Sequence, residues 1–172
     1  MSETPDTTSI SSIRIITTGG TIDKIYFDAR SEFEVGEPVI GTVLEEALVG
    51  LPWTVEPLMQ KDSLEMTDDD RALIREAVHR SKEKHILITH GTDTMSDTAA
   101  AIGDTDGRTV VLTGSLSPAR FRSTDAVFNI GAAFAAVQSL PAGAWVFMNG
   151  QVFPAGHVRK NRDTNRFEGL ED

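Results

Sequence analysis

Two threonines held in glycine-containing turns are the residues of this chain best placed for chemistry. Thr21 stands in Thr-Thr-Gly-Gly-Thr-Ile and Thr92 in Thr-His-Gly-Thr-Asp-Thr-Met. Each turn follows a β-branched run, Ile13-Arg14-Ile15-Ile16 or Ile86-Leu87-Ile88, and precedes a change of hydrophobic period. That order puts both hydroxyls at the carboxyl ends of strands, the edge where open α/β sheets bind ligands. A threonine hydroxyl is a weak nucleophile at neutral pH and needs a base nearby. Asp93 can orient a lysine that takes the proton, and Lys160 is the candidate, because it follows the last predicted hairpin and can fold back over the sheet edge. Lysine serves as such a base when burial or a neighbouring cation lowers its pKa.

Each segment also has a plainer reading. Gly19-Gly20-Thr21 suits a strand-ending turn, since paired glycines admit positive φ and close approach, with Thr21 as a cap. Thr92-Asp93 suits the cap of the next helix. The coincidence of both at one sheet edge favours a hydroxyl-nucleophile site. A dinucleotide fingerprint is excluded, because the third glycine and the downstream acid are not at the required spacing. Asp62 and Ser63, after the second predicted strand, suit the ammonium and carboxylate of an amino acid, or are exposed loop polars before a capped helix. His90 reads as a turn-stabilising histidine. No His and acid spacing fits a metal, so none is expected. Arg120 and Arg122 read as surface or interface charges, and Asp125 as the cap of the alanine-rich helix that follows.

The elements that must carry these residues alternate. Strands are predicted over residues 13–17, 53–58, 85–89, 109–113 and 144–148, separated by helical patterns. That alternation is the signature of a parallel sheet with crossover helices. Thr42 with Glu45 predicts a capping box for a short helix through Leu48. Thr67 caps a second helix, its first turn acidic at Asp68, Asp69 and Asp70 and its stripe formed by Leu73, Ile74, Ala77 and Val78. Further helices are expected over 96–102 and 126–140. Residues 22–40 show no lasting period and read as a long loop or hairpin, a feature that is often functional. Gln151-Val152-Phe153 and His157-Val158-Arg159 are expected to pair as a hairpin around Pro154-Ala155-Gly156, before a polar tail.

Composition narrows the function classes. A chain of 172 residues suits one domain with a real core, here read as residues 1–172. The net charge of −10 argues against nucleic acid, whose phosphates need a concentrated basic face. There is no cysteine, so thiol catalysis and thiolate metal sites are out. Residues 1–12 are polar, lack a basic start and an apolar core, and do not read as a secretory signal. No apolar run is long enough to span a bilayer. A cytoplasmic enzyme is the expectation, with no membrane partner.

Thr17-Thr18-Gly19-Gly20-Thr21-Ile22, Ile88-Thr89-His90-Gly91-Thr92-Asp93-Thr94-Met95 and Val111-Leu112-Thr113-Gly114-Ser115, in that order, resemble the bacterial-type L-asparaginases. The similarity spans nearly the whole chain but only the N-terminal domain of the usual enzyme, as in the short-chain asparaginases. It implies an α/β fold with an open, mostly parallel sheet and helices on both faces. It implies hydrolysis of L-asparagine to L-aspartate and ammonia without a cofactor, through an acyl-enzyme or by direct attack of water. Thr21 then corresponds to the first nucleophilic threonine, and Thr92, Asp93 and Lys160 to a hydrogen-bonded relay. Ser63 corresponds to the residue holding the substrate α-carboxylate, with Asp62 beside it. Gly20 and Gly91 belong to the two threonine motifs at the substrate. Ser115 resembles a small residue whose backbone faces the substrate amide. The family's mobile loop carries a tyrosine that supports the first threonine. Its counterpart here is Phe33, so Tyr26, the sole tyrosine, is expected to supply the hydroxyl. With the family's C-terminal domain absent from this sequence, a homo-oligomer is expected, a dimer or tetramer, with residues 150–170 at an interface. An amino-acid-binding module without activity, or a hydrolase preferring glutamine, are the alternatives.

Overall fold

A computed structural model describes residues 10–170. Most of the polar segment 1–12, and the last two residues of the tail, lie outside them. In chain order the elements begin with β1 (Ile13–Gly19), β2 (Lys24–Phe27), β3 (Glu32–Val35), α1 (Ile40–Glu46) and β4 (Trp53–Lys61). Then come α2 (Asp68–Arg80), β5 (His85–Thr89), α3 (Met95–Ile102), β6 (Thr109–Thr113) and α4 (Ala126–Ser139). Four strands close the chain: β7 (Gly143–Met148), β8 (Gln151–Pro154), β9 (Val158–Asn161) and β10 (Arg166–Gly169).

Six strands form one sheet in the order β4-β1-β5-β6-β7-β8, parallel except for β8. Its central strands are buried on both faces, which is why they read as continuous apolar runs rather than alternating ones. On one face Ile16, Ile88 and Leu112 pack under Ile74 and Val78 of α2 and Met95 and Ala99 of α3. On the other, Ile15, Leu87 and Val111 pack under Ile40 and Leu44 of α1 and Ile130 and Ala133 of α4. The mostly parallel sheet with helices on both faces is therefore present. The chain leaves β1 toward the α1 face and leaves the adjacent β5 toward the α3 face. Loops that part in this way open a crevice between them, the switch point at which such sheets bind ligands. Thr21 and Thr92 lie on those two loops. Among the described residues no helix is long and apolar enough to cross a membrane.

Several local expectations are corrected. The predicted second strand runs past Pro57 to Lys61; β4 is an edge strand, where a missing N–H costs no ladder bond. Helix α1 begins at Ile40, so Thr42 is not its cap; the Val39 amide instead donates to Oδ1 of Asp23, 3.0 Å away. Residues 151–153 and 157–159 do not pair with each other. β8 folds back on β7, and β9 pairs with β10, so the tail is structured and buries Phe167. Asp125 stands at the start of α4 without capping it. Its carboxylate accepts from the Leu116 and Ser117 amides and from Nδ2 of Asn129, while Thr124 Oγ1 accepts from the Ala126 amide. The capping box at α2 is present, with Asp70 rather than a glutamate reaching back to the Thr67 amide, and Lys61 bonding the same carboxylate at 2.8 Å. The irregular 22–40 segment contains the β2–β3 hairpin, with Tyr26 opposite Phe33.

Two buried titratable groups hold the loops around the crevice. His90 is fully buried, with Nδ1 2.7 Å from the Gly91 carbonyl and Nε2 2.8 Å from Thr98 Oγ1. A carbonyl only accepts, so Nδ1 carries the proton and Nε2 accepts from the threonine, a neutral imidazole. Burial lowers the His90 pKa to about 4. This is the turn-stabilising histidine that the sequence suggests. Asp23 has the opposite shift: burial raises its carboxyl to about 6 against the Val39 hydrogen bond and the charge of Arg120. Its Oδ2 is buried without a partner.

The linkage signs follow from these shifts. His90 contributes stability that is present above 6.5 and lost as the pH falls through about 4. Asp23 contributes stability present below 3.8 and lost as the pH rises through about 6. Each spans about 3 kcal/mol and the two slopes oppose one another. Relative to wild type, Asp23→Asn should gain stability as the pH is raised from 4 to 6, and His90→Gln should gain it as the pH is lowered over the same interval. Urea melts across that range test this; differences that do not change with pH would refute it.

Candidate active site

The loops after β1, β5 and β6 meet backbone against backbone, with the Ser63 side chain of the loop after β4 against them, and glycine is what lets them. A Cβ on Gly20 (φ 90°) would lie 2.4 Å from Cα of Gly91. One on Gly91 would lie 2.6 Å from both Cβ and Oγ of Ser63, and one on Gly114 2.2 Å from the His90 carbonyl oxygen. Gly19 (φ 98°) sits at a register shift between β1 and β4, where a Cβ would lie 2.6 Å from the Lys61 amide nitrogen. Hydrogen bonds tie the same loops together. Thr18 Oγ1 donates to the Thr89 carbonyl at 2.8 Å, the Gly20 amide to the Lys61 carbonyl at 2.9 Å, and Thr94 Oγ1 to the Ser63 carbonyl at 2.8 Å. Gly20, Ser63 and Gly91 are thus brought together, with Thr21 and Thr92 each one residue from the contact. The two doublet glycines signal their turn in the sequence. Gly91 and Gly114 give no comparable local signal, because what demands them is a neighbouring loop.

Lys160 reaches this cluster from the far end of the chain. It stands on β9 opposite Phe167 of β10, and directly opposed residues share one face of the pair. Phe167 is buried in the core, and its amide donates to Oδ1 of Asn149 at 2.8 Å. That anchoring aims Lys160 inward: Nζ lies 2.8 Å from Thr92 Oγ1 and 2.9 Å from Asp93 Oδ1, with the lysine side chain 9% exposed. Arg162 Nε is 4.0 Å from the same Asp93 oxygen and was not singled out in the sequence. Thr92 is itself buried.

Thr21 opens a 3-10 turn that runs to Asp23 and lines a cleft of about 290 Å³. The other walls are Lys24, Phe33, Leu116, Ser117, Pro118 and Phe121. Tyr26 does not line it; its ring is half exposed and packs against Phe33, centroids 5.3 Å apart. Asp62 is engaged by a residue that the sequence reading passed over: Lys24 Nζ lies 2.9 Å from its Oδ2, and its Oδ1 accepts from the Leu64 amide. Burial opposes ionisation of Asp62, but the hydrogen bonds from Lys24 and Leu64 outweigh it and hold the carboxyl below its ordinary range. Ser115 is buried, and its hydroxyl donates to the Ser117 carbonyl. Asn129 closes this wall, donating to the Gly114 carbonyl at 2.9 Å.

The family model described as asparaginase, N-terminal, matches residues 12–171. An L-asparaginase of Bacillus licheniformis is 31% identical over 169 residues, 89% of this chain and 51% of that protein. A glutaminase-asparaginase of Acinetobacter glutaminasificans is 36% identical over 93 residues, 51% of this chain and 28% of that protein. The solved L-asparaginase I of Vibrio cholerae superposes with a TM-score of 0.80 at 25% identity, over 94% of this chain and 52% of that one. The chain spans about half the length of the L-asparaginases it matches. Motifs, fold and family match agree: this chain belongs to the asparaginase family, through its N-terminal domain.

Proposed function

We propose that the protein hydrolyses the side-chain amide of L-asparagine to L-aspartate and ammonia, with Thr21 as nucleophile. The observation that carries this reading is the Lys160–Thr92–Asp93 contact at the switch point, on a loop packed directly against the Thr21 turn. Thr21 Oγ1 adds to the amide carbon, the C–N bond breaks, and ammonia leaves with the threonine proton. Water then splits the ester and releases aspartate. Lys160 Nζ donates to Thr92 Oγ1 and to Asp93 Oδ1, and the attacking water is activated within this Thr92–Asp93–Lys160 group. Backbone N–H groups of the two glycine turns stabilise the oxyanion, each such donor contributing ~3 kcal/mol. The Ser63 hydroxyl binds the α-carboxylate. Asp62 binds the α-ammonium, which displaces Lys24 from it. The reaction consumes water and calls for no cofactor.

Glutamine is the second reading, supported by the relative named glutaminase-asparaginase. A methylene longer, it changes transition-state binding by only ~1–3 kcal/mol in a pocket of this kind. We also place residues 150–170 at the interface of a homo-oligomer, because β8 is an edge strand of the sheet with an exposed Val152, and Leu170 is exposed as well.

Thr21→Ala, Thr92→Val and Lys160→Met should each lower kcat for asparagine by two or more orders of magnitude with melting curves close to wild type. Ser63→Ala should act mainly on KM. Wild-type rates in the two threonine variants would refute the mechanism, and no ammonia release by the intact protein would leave an amino-acid-binding module. Ammonia release from the two amino acids should favour asparagine at least tenfold in kcat/KM, and equal values would assign a dual specificity. Sedimentation of the protein at assay concentration should give a dimer or tetramer; a monomer with full activity would refute the interface.

A further inference from the structure

The cleft beside Thr21 is built for something that asparagine does not carry. Four of its seven lining residues present carbon: Phe33, Leu116, Pro118 and Phe121. Phe33 and Phe121 form a tilted aromatic pair, centroids 5.9 Å apart, with Tyr26 behind Phe33. Both rings stay substantially exposed, at 50% and 44%, although they flank a reactive hydroxyl.

The backbone groups that Leu116 and Ser117 bring to this cleft are largely engaged elsewhere, and Lys24 is its one charged wall, paired with Asp62 until an α-ammonium displaces it. The Leu116 and Ser117 amides donate to Asp125, and the Ser117 carbonyl accepts from Ser115 Oγ and from Thr124 Oγ1. An ammonia leaving group gains nothing from such walls. An apolar substituent does, because it buries itself and both phenyl rings. The space is ample: a cavity of about 150 Å³ already holds benzene, against about 290 Å³ here.

Thr21 itself lines the cleft, so a carbonyl carbon that its hydroxyl attacks stands beside the aromatic walls, within reach of a substituent on the departing nitrogen.

We infer that the site accepts secondary amides, N-substituted asparagines whose side-chain nitrogen bears an apolar or aromatic group, with the Phe33–Phe121 cleft as the leaving-group subsite. This rests on the reading of Thr21 as nucleophile. The chemistry balances as for asparagine. Thr21 Oγ1 forms an ester with the acyl carbon, the C–N bond breaks, the threonine proton passes to the departing nitrogen, and a primary amine leaves in place of ammonia. Water then releases aspartate.

The test compares N4-benzyl-L-asparagine, N4-(2-hydroxyethyl)-L-asparagine and asparagine itself, reading benzylamine, ethanolamine or ammonia. The benzyl compound should exceed the hydroxyethyl one at least tenfold in kcat/KM. Phe121→Ala and, independently, Phe33→Leu should reduce that ratio severalfold, with a thermal melt confirming that each variant is folded. Turnover of asparagine together with no preference for benzyl would overturn the subsite while leaving the Thr21 mechanism intact. Unchanged ratios in both folded variants would overturn it as well. Failure to cleave any of the three would remove the nucleophile and the subsite together.

Discussion

The site depends on a contact between backbones, the Gly20 turn against Gly91, so close that a methyl added at Gly20 would force backbone apart; Gly91 in turn lies against Cβ and Oγ of Ser63 from a third loop. Packing of this kind is unforgiving, because a backbone, unlike a flexible side chain, cannot swing aside. It holds Thr21 and Thr92 one residue from the same point while leaving their side chains free to differ in surroundings. Thr92 is buried and held by Lys160, whereas Thr21 faces a cleft. One backbone junction thus sets two threonines in opposite environments, one buried against a lysine and one open to a cleft.

Around that junction the polar groups are tied in a second layer. Asp125 gathers the Leu116 and Ser117 amides, Asn129 holds the Gly114 carbonyl, and His90 links the Gly91 turn to α3 through Thr98. Each satisfies a loop polar group within the fold, and each costs little because its partner is fixed. Asp23 is the exception. It bridges the Thr21 turn to α1 through the Val39 amide but leaves a buried oxygen unpaired. Its raised pKa measures that cost, and it opposes the acid sensitivity that neutral His90 would otherwise impose.

Lys160 shows how a distant residue becomes part of such a site. The β9–β10 pair makes no strand of the main sheet, yet Val158 and Phe167 sink into the core and Asn149 fixes the Phe167 amide. Burial of Phe167 therefore sets where the lysine amine stands. The aromatic wall beside Thr21 arises likewise, from a hairpin docked by ring contacts onto the 116–121 loop.

Strand positions, the helix stripes and the two threonine turns were legible in the residue order, because period and turn chemistry are local properties. The candidates Thr21, Thr92 and Asp93 are carried by motifs, whereas Lys160 is named for its place after a hairpin that the fold pairs differently. Partnership was not legible. Thr42 has every local mark of a cap, and Asp125 stands where one belongs; yet Asp23 takes the first role from far along the chain and Thr124 the second. The 151–159 stretch reads as a hairpin until the β7 edge offers Gln151–Pro154 a better mate. The ion pair of Asp62 with Lys24 of β2 likewise has no mark in the residue order. Residue order carries what neighbours along the chain require of one another. Which groups end up satisfied is settled by folding, since a hydrogen bond or salt bridge forms with whatever the packing brings within 3 Å or so.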